Sequence, residues 1–136
     1  MMVVPDTNIR LSALLFGGKP KQAVLRAVEQ DMIATCQEII MEVIAVAARK
    51  FSEREDQLMR DFRILLANVL VVEVKGAVQA CRDPKDNMVL ECARNASASL
   101  IITGDKDLLM LGSFEGIRII TASQYVEGTA SIAVQP

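Results

Sequence analysis

Five short apolar runs constrain the fold of this chain more than any other feature: residues 2–5, 32–35, 69–74, 100–102 and 117–120. Each is only a few residues long and suits a strand covered on both faces. Between them the apolar residues recur at helical spacing. Pro20 sits near the start of a helix predicted over residues 21–30, with Ala23, Val24, Ala27 and Val28 on one face. Residues 37–50 are the most periodic stretch. Ile39, Ile40, Val43, Ile44 and Ala47 share a side, Glu38 points away from it, and Glu42 lies near its edge. Ser52 with Glu55 is a capping-box pattern and predicts a helix to about residue 67. A further helix is expected over residues 85–95, with Met88, Val89, Cys92 and Ala93 inward. Strands alternating with helices predict the α/β class. The architecture expected is a three-layer α/β/α sandwich around a central, mainly parallel sheet of about five strands. Residues 1–127 read as one domain, and residues 128–136 as a short, mobile tail.

Composition removes several function classes. Half of the 136 residues are apolar, enough for the core of one domain. No apolar run approaches 18 residues, so no membrane span is expected, and no signal peptide is visible. Cys36, Cys81 and Cys92 are odd in number and widely spaced, which fits reduced thiols in a cytoplasmic protein. Histidine is absent, which excludes histidine triads and histidine-ligated zinc. The net charge of −2 is not that of a basic nucleic-acid binder, and the aromatic residues are too few for a base-stacking platform.

The acids then carry the chemistry. In LIITGDKD, Asp105 and Asp107 follow the fourth apolar run, and Asp6 follows the first. Ligands bind beyond the carboxyl ends of parallel strands, at the point where strand order reverses. Asp86 opens the helix that leads into the fourth run, and Glu42 lies on the helix after the second. Singly, each has a structural reading. Asp83-Pro84-Lys85-Asp86 makes a helix start, Asp6 and Asp105 can cap helical turns, and Glu42 can face solvent. Together, two carboxylates about 4 Å apart repel by about 4 kcal/mol at an effective dielectric near 20. Converging acids therefore call for a cation, and hard oxygen donors favour Mg²⁺ or Mn²⁺.

The ordered set of DTN after a strand, the acid within CQEIIMEV, then DPKDNMVLECA and LIITGDKDLL resembles the PIN domain family across residues 2–126. It is most similar to the single-domain prokaryotic members that act as toxins of toxin–antitoxin pairs. The resemblance implies a metal-dependent ribonuclease that leaves a 5′-phosphate. Its four acids fall on Asp6, Glu42, Asp86 and Asp105, with Asn8, Asp83, Thr103 and Asp107 in support. It also implies an RNA substrate, a cognate antitoxin, and a homodimer or larger homo-oligomer, with the surface between residues 21 and 67 as the expected interface. Two positions depart from the family. Cys36 replaces a serine that opens the second helix, and Pro5 replaces an aliphatic residue before the first acid.

Without the four acids the net charge of −2 becomes +2, and Arg10, Lys19, Lys21, Arg82, Lys85 and Lys106 are candidates to hold flanking phosphates. The alternative for each is an ordinary solvated cation. A haloacid-dehalogenase-type phosphatase would need an acid where Asn8 stands, and a phosphoreceiver domain a lone late lysine, whereas Lys106 sits between two acids. The remaining alternative is an inactive PIN fold that binds RNA or protein.

Overall fold

A computed structural model describes residues 1–128, so the tail reading falls outside the described residues but for Gly128. The chain runs β1 (Met2–Pro5), α1 (Thr7–Leu15), α2 (Gly18–Gln30), β2 (Met32–Cys36), α3 (Gln37–Lys50), α4 (Glu55–Leu65) and β3 (Leu70–Val72). It continues through α5 (Pro84–Asn95), β4 (Leu100–Ile102), α6 (Lys106–Leu111), β5 (Ser113–Phe114), β6 (Ile117–Ile120) and α7 (Ala122–Glu127). The sheet has six strands in the order β3-β2-β1-β4-β6-β5. Only β5 is antiparallel, pairing with β6.

Successive strand residues face opposite layers, which is why the runs are apolar throughout. Val4, Ala34 and Ile101 enter a core with Ile39 and Val43 of α3 and Leu90 and Ala93 of α5. Val3, Ile33, Leu100 and Ile102 enter the other, with Ala23, Val24 and Ala27 of α2 and Tyr125 of α7. Each fully buried Val or Ile contributes about 1.5–3 kcal/mol. The three layers and the mainly parallel sheet agree with the sequence reading. No helix among the described residues is long and apolar enough to cross a membrane.

Several elements differ from expectation, α2 beginning at Gly18 among them. Ser52 opens a separate 3₁₀ turn, Ser52–Arg54, and makes no side-chain cap; α4 begins at Glu55. The third strand is shorter than its apolar run, because residues 73–74 leave the sheet. Strand β5 was not foreseen. It is two residues long and is created by the Glu115-Gly116 turn, whose positive φ values, 48° and 82°, suit a tight hairpin.

Ile101 is fully buried at the centre of the sheet. Ile101→Ala is expected to lower unfolding stability by about 2–5 kcal/mol in urea titration, with the far-ultraviolet spectrum retained.

Candidate metal centre

Strands β1 and β4 lie side by side and in parallel, with Pro5 opposite Ile102. Their carboxyl ends therefore bring Asp6 next to the Thr103-Gly104-Asp105 turn. Asp6 caps α1, accepting from the Ile9 N–H at 2.8 Å through Oδ1. Its Oδ2 accepts a short hydrogen bond from the Thr103 hydroxyl. The same hydroxyl oxygen accepts from the Asp105 N–H at 2.9 Å. Asp105 in turn caps α6, accepting from the Leu108 N–H at 3.0 Å. One buried hydroxyl thus sets the spacing of two acids on neighbouring strands.

Asp86 comes from α5, whose cap is Asp83, accepting from the Lys85 N–H at 2.9 Å. Pro84 suits this start, because its missing N–H would have no partner in a first turn. One carboxylate oxygen each from Asp86, Asp105 and Asp107 lie within 4.8 Å of one another. Asp107, a supporting residue in the sequence reading, thus joins Asp86 and Asp105 in one acidic cluster.

Glu42 reaches over the sheet from α3. It accepts from the Thr7 hydroxyl at 3.1 Å and pairs with the Lys85 ammonium at 3.0 Å. Asp6, Asn8, Glu42, Asp83, Asp86 and Asp105 all line one cavity of about 250 Å³, together with Thr7, Lys85 and Val89. Thr103, fully buried, stands behind its wall.

The electrostatics are those of crowded acids. Burial pushes the Asp86 carboxyl up to about 6, helped by Asp105, Asp83, Asp107 and Asp6 around it. Burial also pushes Asp6 upward, against the pull of the Thr103 and Ile9 hydrogen bonds and the Arg10 charge; Asp105 adds to the rise. Carboxylate oxygens without histidine or thiolate, held apart by protein donors and strained by mutual repulsion, suit a hard divalent cation.

The cations divide differently from the sequence reading. Arg10 is not a phosphate ligand. It is buried, and its guanidinium donates to the Pro5 and Ala34 carbonyls, each at 2.9 Å, tying β1 to β2. Desolvation lowers its pKa to about 10. Lys19 pairs with Glu127 at 3.6 Å, and Lys21 lines a groove with Leu25 and Ile64, so neither lines the acidic cavity. Lys85 and Arg82 do lie against the acids, Arg82 at 3.6 Å from Asp107. Lys106 is exposed at the start of α6. Cys36 caps α3 without a side-chain bond, the weaker cap its thiol implies, and its sulfur instead contacts the Cys92 thiol.

This mainly parallel α/β/α domain brings several carboxylates into one pocket at the β1/β4 switch point. The chain belongs to the PIN domain family, whose profile matches residues 2–107. Its fold is similar to a solved structure of VapBC2 from Rickettsia felis bound to a DNA fragment from their promoter. The TM-score is 0.68 at 12% identity, with 89% of this chain and 98% of that chain covered. No curated protein sequence matches.

Two outcomes are expected here. The folded protein holds the Asp86 proton more tightly than the unfolded chain, so this group favours folding fully below about pH 4. That contribution is lost as pH rises through about 6. In chelator, Asp86→Asn should therefore raise Tm at pH 7.5 by about 3–6 °C, a gain that vanishes near pH 4 in a calorimetric pH series. Thr103→Val, which keeps the shape but removes the hydroxyl, should cost about 1–3 kcal/mol in denaturant titration.

Proposed function

We propose that the protein is a metal-dependent endoribonuclease that hydrolyses RNA phosphodiester bonds, and that it is the toxin of a toxin–antitoxin pair. The observation that carries this reading is the convergence of Asp86, Asp105 and Asp107 within 4.8 Å, beside a buried Asp6. When bound, Mg²⁺ or Mn²⁺ supplies Lewis acidity, lowering the pKa of water and offsetting charge on phosphate oxygens. Asp6, Asp86 and Asp105 are the residues to hold it, with Asp107 at the rim.

Thr103 keeps Asp6 and Asp105 at fixed separation, so little reorganisation accompanies binding. Glu42, steadied by Thr7, also lines the cavity and would orient water there. Lys85, which lines the cavity, and the exposed Arg82 and Lys106 are the cations to receive the flanking phosphates. Water adds to phosphorus, the 3′ oxygen leaves, and the product carries a 5′-phosphate. The VapBC2 likeness supports an antitoxin partner. Exposed apolar residues on α2 and α4, Leu25, Val28 and Ile64, leave surface for an oligomer contact. The three free cysteines, widely spaced and without a disulfide, favour a cytoplasmic setting.

Incubation with single-stranded RNA and Mg²⁺ or Mn²⁺ tests the activity. Asp6→Asn and Asp105→Asn should each reduce cleavage on the order of 100-fold, about 2.7 kcal/mol of barrier. Cleavage that survives both substitutions places the chemistry elsewhere. RNA bound but never cut, with metal present, favours a PIN fold that acts as a binding module.

A further inference from the structure

Residues 73–83 connect β3 to α5 without regular structure, yet their backbone is tied along its length. Three side chains of α5 do this, Asn87, Glu91 and Asn95, four residues apart and so on one helix face. Asn95 donates to the Glu73 carbonyl at 2.8 Å. Glu91 accepts from the Lys75 N–H at 2.5 Å, the Ala77 N–H at 2.6 Å and the Val78 N–H at 3.1 Å. Asn87 accepts from the Cys81 N–H at 2.7 Å and donates to the Cys81 carbonyl at 3.0 Å. The segment therefore runs back along α5, rung by rung, towards the acidic cavity.

Glu91 is the central rung and is 1% exposed. A buried carboxylate is costly unless its oxygens are satisfied, and here both are used on backbone donors. Glu91 does not line the acidic cavity. The segment it holds ends at Arg82, which pairs with Asp107, and at Asp83, which caps α5 just before Asp86. Asp83 is itself the end of this segment, and it sets the start of the helix that carries Asp86.

We propose that Glu91 is a positioning residue for the metal centre, holding Asp83 and with it the start of α5 that carries Asp86, through residues 73–83. The role rests on the metal-dependent reading of that centre. Only a carboxylate fits it. A glutamine offers one acceptor oxygen, and its NH₂ would meet an N–H donor on the other side.

The test compares wild type, Glu91→Gln and Asn95→Ala, the last being the rung farthest from the cavity. Hydrogen exchange in chelator should quicken in Glu91→Gln at residues 75–78 and also at residues 81–86. Mn²⁺ affinity, read from the Mn²⁺-induced rise in Tm, should fall by about tenfold. In Asn95→Ala that rise should match wild type even if its metal-free Tm is lower, which separates positioning from general loss of stability. Glu91→Asp keeps both acceptors on a shorter stem and should fall between, which also serves if the glutamine variant does not fold. An unchanged Mn²⁺ response in Glu91→Gln, or faster exchange confined to residues 75–78, overturns the proposal. A wild type with no Mn²⁺ response fails the metal reading itself, and the role of Glu91 with it.

Discussion

Repulsion among carboxylates is the constraint on which the rest of the site depends. Asp6, Asp86, Asp105 and Asp107 are drawn from the starts of three different helices to one end of a parallel sheet. Burial pushes Asp86 to about 6, with Asp105, Asp83, Asp107 and Asp6 adding to the rise, and burial pushes Asp6 upward as well. Neutral donors hold the arrangement against this cost. Asp6 and Asp105 each cap a helix, and the Thr103 hydroxyl bridges them. Caps satisfy helix N–H groups that would otherwise lack partners, so the interactions that start α1, α5 and α6 also aim their acids.

Cations in the protein offset the charge only partly. Lys85 neutralises Glu42 from an exposed position, where screening makes such a pair worth little. Arg82 meets Asp107 across open solvent. Arg10, which lies close behind Asp6, is committed to two main-chain carbonyls. The inner acids thus keep a net negative field.

Much of this was legible in the sequence. The strand runs were uniformly apolar because both faces of the sheet are covered, so class, layers and the β1/β4 neighbourhood followed from local pattern. The acids could be placed at strand ends, and the family resemblance singled out Glu42 over Glu38. What the pattern could not give were side-chain directions and long-range bonds. Arg10 looks like any surface arginine after an acid, and only the fold shows its guanidinium reaching Pro5 and Ala34. The Ser52 capping box was locally sound but lost to a 3₁₀ turn. Strand β5 carries one apolar residue and exists because of its turn. Glu91 left one sign, a charge within the apolar MVLECA run, but its partners are in a segment with no pattern of its own.

The claim that these carboxylates form one cation site is tested most directly by crystals grown or soaked with Mn²⁺ and measured for anomalous scattering. The account predicts a peak bounded by Asp86 and Asp105, with Asp6 or Asp107 completing the oxygen ligands. A peak elsewhere, or none at millimolar Mn²⁺ with the pocket open to solvent, would contradict it.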